Sequence, residues 1–507
     1  VPGLPDPLMR LEGRKSVPVR TPAEWQKQKK WIREEFEKWV FGKMPPAPGN
    51  LRATVLSEKK EGRSTVRDVK LEFGPGHRAV LNVQVIIPEG KGPFPVFLTN
   101  HSRLMPRVYT AVRRGYIACV YYATDPNYGH PDDSDKFIEV YPEYDFAVLA
   151  RWAWSASRAV DYLYTLPEVD KAKIGITGHS RNGKQALLAA AFDERITAAV
   201  PTSGNTGEGN PWRYTSSNFG VESIEQITGT FPQWFHPRLR FFAGREHKLP
   251  VDQNLLMAMV APRGLMLHSA YAESVGSPFG FEQAYRSAQR VYRFLGHPEK
   301  LWLHLRAGEH STTAGDTEIF LNFFDTVFGR KTFPKSETWT HGYTFDGWLA
   351  QSAERINPQA FPARKPGDFS VGSDGNPVAA SAWPDALRRI RERIGWALGE
   401  EPPFVPFVAK QSLAGPVWST DGWIAQIILN RPLKAPGMNV SALPFGDGLK
   451  GDLYYPLGAE GKIAKNKLPC VIWLHPYSYA TGYSHYASPQ IAELVRRGYA
   501  VFAFDQL

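Results

Sequence analysis

The stretch KAKIGITGHSRNGKQALLAAAF, residues 171–192, decides the fold. Ile174 to Thr177 alternate apolar and small residues over a length that suits a buried parallel strand. Residues 178–183 make a sharp turn around Ser180, and Asn182 to Phe192 is an Ala/Leu-rich helix. Strand, tight turn with a central serine, and helix together read as a nucleophile elbow. Small residues flank such a serine because its backbone is strained and the strand and helix pack closely. The match to Gly-x-Ser-x-Gly is loose, since Asn182 stands at the last glycine position and Gly183 follows. The helix directs its positive end at the hydroxyl.

Outward from the elbow, the pattern alternates strand and helix. Thr21-Pro22-Ala23-Glu24 is a capping box that opens a helix carrying Trp25, Ile32, Phe36, Trp39 and Val40 on one face. Residues 1–20 are Pro/Arg-rich and read as extended. Residues 66–87 read as a hairpin turning at Gly74-Pro75-Gly76. Strands are expected at 96–99 and 117–121 with a helix at 106–114 between them, then a long helix at 145–163. Past the elbow come a strand at 196–200, a Gly-rich loop at 201–213, and an aromatic insertion within 205–250 over the site. A helix at 252–260, strand at 265–270, helix at 281–295, strand at 301–306 and helix at 317–328 follow. This is an α/β-hydrolase fold, a doubly wound, mostly parallel sheet in a three-layer sandwich, spanning residues 1–330.

Beyond it, residues 331–410 read as a linker or wrapping segment with one amphipathic helix at 385–398, whose Leu387, Ile390, Ile394 and Leu398 are expected to face inward. Residues 411–507 echo an earlier part of the chain. The strand before His101 and the later Arg113-Arg114-Gly115-Tyr116 recur as Cys470–His475 and Arg496-Arg497-Gly498-Tyr499. The echo reads as the opening of a second α/β-hydrolase-like domain, and the natural protein is expected to continue past Leu507.

Composition narrows the function. The 507 residues are 43% hydrophobic and 22% charged, as in ordinary globular domains. Fifteen Trp, 21 Tyr and 29 Phe suit large cores or carbohydrate-facing clefts. The net charge is +10, without a basic run interleaved with aromatics, so nucleic acid is not expected as a partner. No apolar run reaches the length of a membrane span. Cys119 and Cys470 lie in apolar runs and read as buried free thiols, which argues against a disulfide scaffold or a Cys-ligated metal. Asp132, Asp133 and Asp135 lack the spacing of a calcium loop and read as a solvated surface. The chain starts at Val1 without Met, so a processed or trimmed N-terminus is expected, and no signal-peptide pattern is read in the given residues.

A serine nucleophile needs a histidine base and an acid to orient it, in the chain order Ser, acid, His. His310 follows the strand at 301–306 in a Gly-containing loop ahead of a helix, whereas His304 lies within the strand and reads as structural. Glu273, after the strand at 265–270, is the expected acid, with Glu208 as its rival. His179 is expected to face away from the Ser180 hydroxyl. Oxyanion donors are the Arg181 backbone N–H and the loop at 100–103, and Lys184 points toward the same mouth.

The run Gly178-His179-Ser180-Arg181-Asn182-Gly183-Lys184 resembles the nucleophile motif of the glucuronoyl esterases, carbohydrate esterase family 15. The similarity spans roughly residues 20–330 and includes residues 152–158, 249–253 and 261–265. The resemblance implies cleavage of glucuronic acid esters in lignin–carbohydrate material through an acyl-enzyme, with no cofactor and no metal, in a secreted or periplasmic protein. It implies Ser180 as nucleophile, His310 as base, the Arg181 side chain at the oxyanion, and Lys184 and Glu222 at the sugar. Two departures stand out. Many members carry the acid where Ser203 stands here, while Glu273 matches an alternative acid position. Many also place a substrate-stacking Trp where only Phe279 is present. Esterases acting on acetyl, feruloyl or other carbohydrate-linked esters, and a non-catalytic carbohydrate-binding homologue, are the competing readings. A prolyl-oligopeptidase type lacks a preceding propeller.

Overall fold

The computed structural model describes residues 3–12, 15–100, 106–126, 131–215, 221–273, 275–340, 350, 371, 376–398, 438–445, 449–457, 467–473 and 484–504. Of the expected oxyanion loop, residues 101–103 lie outside these, as do most of the expected linker and residues 411–437. The chain divides into two compact units, residues 1–356 and 357–507.

The first unit opens with a short hairpin, β1 (Met9–Glu12) and β2 (Lys15–Pro18), where only extended chain was expected. Helix α1 (Pro22–Phe36) starts at the anticipated capping box. Thr21 Oγ1 accepts the Glu24 N–H at 3.2 Å, and the Glu24 carboxylate accepts the Thr21 N–H at 3.0 Å. Trp25, Ile32 and Phe36 are buried along its apolar face.

The main sheet is built from β3 (Arg52–Glu61), β4 (Ser64–Phe73), β5 (Ala79–Pro88), β6 (Phe94–Thr99), β7 (Ile117–Tyr121), β8 (Val169–His179), β9 (Ala198–Thr202), β10 (Gly264–Ala270) and β11 (Leu301–Arg306). Its spatial order is β11-β10-β9-β8-β6-β7-β5-β4-β3. From β7 to β11 neighbouring strands are parallel, and β5, β4 and β3 continue the sheet antiparallel. Residues of the central strands are buried on both faces, as crossover helices require. Those helices are α2 (Pro106–Arg113), a single turn α3 (Phe137–Val140), α4 (Val148–Leu163), α5 (Arg181–Phe192), α6 (Ile224–Thr230), α7 (Gln253–Ala258), α8 (Pro278–Phe294) and α9 (Ala314–Val327). This is the α/β-hydrolase sheet.

Several expectations shift. β9 runs two residues later than the expected 196–200, because Pro201 stays in register opposite Gly178 of β8. In the acidic loop Asp132 and Asp133 are half-buried rather than solvated, while Asp135 is exposed as expected. Asp132 accepts from Ser134 and Trp152, Asp133 from Asn82, and Asp135 pairs with Arg151. Some aromatic residues of the insertion turn inward, with Trp212, Trp234 and Phe235 buried in the core, while Phe241 is exposed.

In the second unit, α10 (Trp383–Leu398) keeps the expected extent but not the expected burial. Leu387 and Ile390 are half-buried, while Ile394 and Leu398 are 52% and 82% exposed. A four-stranded sheet joins β12 (Met438–Phe445), β13 (Leu449–Pro456), β14 (Cys470–Trp473) and β15 (Ala500–Phe504), with α11 (Ser484–Arg496) between the last two. Its order, β14-β15-β13-β12, repeats β6-β7-β5-β4 of the first unit, including one parallel pair and two antiparallel ones. Cys119 is a buried free thiol as expected. Cys470 is free but exposed, because β14 shows only partial burial.

Candidate active site

Ser180 sits between β8 and α5 with φ 59° and ψ −127°. A non-glycine residue there costs on the order of 1–3 kcal/mol and persists only where the surroundings enforce it. Those surroundings are small or pinned. A Cβ on Gly178 would overlap the Asn182 carbonyl, and one on Gly183 would lie 2.8 Å from the Thr202 carbonyl oxygen. Asn182 is buried, and its side-chain oxygen accepts from Asn100 at 2.9 Å and Thr124 at 2.8 Å. The Ser180 N–H donates to Thr202 O of β9 at 2.9 Å. Arg181 is the first residue of α5, so its N–H points out of the helix end, where helices favour anions.

Two further loops converge on the hydroxyl. His310, between β11 and α9, places Nε2 3.0 Å from Ser180 Oγ and Nδ1 2.7 Å from Glu273 Oε2. Glu273, after β10, also accepts from Asn205 Nδ2 at 3.1 Å. The Glu273 and His310 loops are laced together by Tyr271 N–H to Arg306 O and Ala272 N–H to Gly308 O. Burial works to raise the Glu273 carboxyl. The hydrogen bond and charge of His310, with Ser203 and Asn205 beside it, outweigh burial and hold the carboxyl below its usual value. The residue pair thus favours the carboxylate form, the one able to hold an imidazole N–H.

Glu208, the rival acid, is brought near but not to His310. It is fully buried and accepts the Gly204 N–H, and burial pushes its carboxyl well up. Ser203 adopts φ 50° and donates its backbone N–H to His268 O at 2.9 Å.

Lys184 is buried rather than projecting into solvent. Its ammonium donates to Gly204 O and to Thr206 O, the latter at 2.6 Å, and lies 3.9 Å from a Glu222 carboxylate oxygen. Burial draws its pKa down. The Arg181 guanidinium pairs with Asp125 and stacks 5.4 Å from the Trp234 ring centre, a ring that Lys184 also approaches at 5.9 Å. Phe279, at the start of α8, is half exposed with its ring 6.0 Å from that of Tyr214.

Sequence reasoning missed several neighbours. His179, expected to face away from the hydroxyl, packs with its ring centre 4.7 Å from that of His310, and Thr312 Oγ1 is 3.1 Å from its Nδ1. Burial pushes His179 down to about 3, so it stays neutral beside the base. Trp234 and Asp125 were also unread. Their contacts bridge segments fifty or more residues apart, and no local spacing signals them.

A family model described as fungal glucuronyl esterase matches residues 73–296. A carbohydrate esterase of an unidentified prokaryotic organism is 28% identical over 390 residues, covering 64% of this chain and 89% of its own. The 4-O-methyl-glucuronoyl methylesterase 1 of Wolfiporia cocos is 26% identical over 373 residues, covering 70% of this chain and 88% of its own. Among solved structures, a glucuronoyl esterase of carbohydrate esterase family 15 from Caldicellulosiruptor kristjansonii superposes with a TM-score of 0.56 at 25% identity, over 68% of this chain and 95% of that one. With the strand order and the serine elbow, these likenesses show that the first unit is similar in sequence and fold to the glucuronoyl esterases of carbohydrate esterase family 15.

Proposed function

We propose that the first unit is a serine carboxylester hydrolase that cleaves esters of glucuronic or 4-O-methyl-glucuronic acid linked to plant cell-wall carbohydrate. The observation that carries this reading is His310, which bridges Ser180 at 3.0 Å and Glu273 at 2.7 Å. Ser180 Oγ attacks the ester carbonyl while His310 Nε2 takes its proton, and Glu273 fixes the opposite ring nitrogen and favours the imidazolium. The oxyanion meets the N–H at the start of α5 and the Arg181 guanidinium, which Asp125 and Trp234 hold in place. His310 then protonates the departing alcohol. Water repeats the sequence in reverse and frees the uronate. Lys184 and Glu222 line the sugar side, and half-exposed Phe279 stands at the rim. The names of the relatives, methylesterases of 4-O-methyl-glucuronate, support this substrate class. Such a substrate lies outside the cell, which favours a secreted or periplasmic enzyme. Among the described residues no helix is long and apolar enough to cross a membrane.

Purified protein and Ser180→Ala should be assayed on benzyl glucuronate, methyl glucuronate and a short acyl ester. Ser180-dependent turnover of the glucuronates is expected. Turnover of the acyl ester alone would remove the uronate reading, and silence on all three would remove the hydrolase reading.

We further infer that residues 411–507 carry the opening strands of a second α/β-hydrolase-type domain, from the repeated strand order of β12 to β15. Nuclear Overhauser contacts should show Val471 beside Val501 in a parallel pair; an antiparallel pairing there defeats the inference.

A further inference from the structure

Behind the Ser180–His310 contact lies a buried polar chain to which the proposed reaction gives no part. Thr202, whose carbonyl receives the Ser180 N–H, has its hydroxyl 2.9 Å from His268 Nδ1. The other ring nitrogen of His268, Nε2, lies 3.2 Å from Asp316 Oδ1, and the ring is fully buried. The Thr202 hydroxyl can donate to Nδ1 when the ring proton sits on Nε2, on the side of the carboxylate. The second Asp316 oxygen lies 2.9 Å from Arg306 Nε. Asp316 also closes the capping box of α9, accepting the Thr313 N–H at 2.7 Å while its own N–H donates to Thr313 Oγ1 at 3.1 Å.

Arg306 then reaches the loop that carries His310. Its guanidinium donates to Ala307 O at 2.8 Å, Glu309 O at 3.2 Å, Ser311 O at 2.6 Å and Ser311 Oγ at 3.2 Å. Glu309 and Ser311 are the two neighbours of His310. The chain therefore runs from the backbone of the nucleophile, across β9, β10 and β11, to both sides of the base.

His268, Asp316 and His304 also place donor atoms within 4.8 Å of one another, as a metal site would. The Arg306 guanidinium already occupies the cation position beside Asp316, and His304 Nδ1 lies 2.8 Å from Ser336 Oγ. The cluster fits an internal ion-pair chain better than a metal.

We propose that Arg306, oriented by Asp316 and His268, is a positioning residue that fixes the His310 loop against the Ser180 elbow. It touches neither substrate nor reacting atoms. Its planar fork satisfies loop carbonyls on both sides of His310, which a lysine ammonium on a flexible stem cannot do. A loop left loose by about 1 Å costs on the order of 100-fold in rate.

The proposal rests on the hydrolase reading only for its kinetic part, so the primary readout needs no turnover. In the full chain labelled with 15N-histidine, the Nδ1 proton of the His310–Glu273 hydrogen bond should appear as a sharp downfield NMR signal. In Arg306→Lys, which keeps the charge beside Asp316, that signal should broaden or vanish while the thermal midpoint stays close to wild type. On benzyl glucuronate, kcat should fall roughly 10- to 100-fold with KM within about two-fold. Asp316→Asn should act in the same direction, with an added loss of stability from α9. A signal absent from the wild type, or unchanged in Arg306→Lys, overturns the proposal. So does a loss of activity that merely tracks a fall in thermal midpoint. A wild type that shows the signal but hydrolyses none of the esters would instead sink the hydrolase reading.

Discussion

Two buried carboxylates stand within reach of the same loop, and their surroundings separate their roles. Glu273 has hydrogen bonds from the His310 ring and from Asn205, on two loops, and these outweigh burial, so its carboxylate form is favoured. Glu208 has burial against it and a single backbone donor, so it favours the neutral form. Only the first can hold His310 in the productive tautomer. Glu273→Ala should therefore lower kcat by about 10³- to 10⁴-fold, as loss of a triad acid does elsewhere. Glu208→Gln keeps an acceptor for the Gly204 N–H and should leave kcat within a few-fold. Steady-state kinetics on benzyl glucuronate checks both, and a Glu208→Gln loss equal to that of Glu273→Ala would exchange their roles. Ser180, Glu273 and His310 were legible because chain order and strand-end position are local signals. The partners of Lys184 were not. Gly204 O and Thr206 O reach it from the next loop, so a lysine read as pointing into the mouth is held inside by backbone carbonyls.

At the scale of elements, the elbow is a packing device as much as a catalytic one. Gly178 lies in β8 where α5 turns back over the strand, and an added methyl there would meet the backbone carbonyl of Asn182. Gly175, three residues earlier, would meet the Phe324 ring at 2.8 Å, a side-chain clash rather than a backbone one. Gly178→Ala should thus cost more stability than Gly175→Ala and abolish the Ser180 geometry. Thermal unfolding, together with labelling of Ser180 by a phosphonate ester, compares the two. Equal losses, with labelling retained in Gly178→Ala, would contradict the backbone-clash argument. Strand and helix identities were readable from apolar periodicity because the central strands are buried on both faces. β3 was not, since it is an edge strand exposed along nearly its whole length, with Lys59 and Lys60 where a buried strand would be apolar. β9 was misplaced by two residues because proline normally ends a central strand, and here Pro201 continues one.

Over the whole molecule, the sequence echo between residues 93–125 and 469–507 proved readable because both segments build the same order of strands. The apolar face of α10 was misjudged, since periodicity reports an amphipathic helix but not what covers it. The first unit also carries a pH dependence no pattern reveals. His179 and His304 are pushed down by burial to about 3 and about 4, and His268 is lowered by the same cause. Unfolded histidine titrates near 6.5. A depressed folded pKa means that the unfolded chain binds more protons between the two values. These residues therefore contribute full stability above about pH 6.5 and lose it progressively as pH falls toward 4 and below. Asp132, raised by burial to about 6, acts the other way: its contribution is lost as pH rises from about 4 to 6. His236 is lowered with the other histidines, and Glu37, Glu208 and Asp252 are raised like Asp132, so the fall in thermal midpoint that the histidines contribute between pH 6.5 and 4 is read by comparing a variant with the wild type. His304→Gln keeps a side-chain partner for Ser336 Oγ and removes one titrating group. It should lessen that fall by an amount worth on the order of 1–3 kcal/mol. Thermal unfolding at pH 7, 5.5 and 4 measures it. An identical slope in the variant would mean that His304 charges as easily in the folded chain as in the unfolded one.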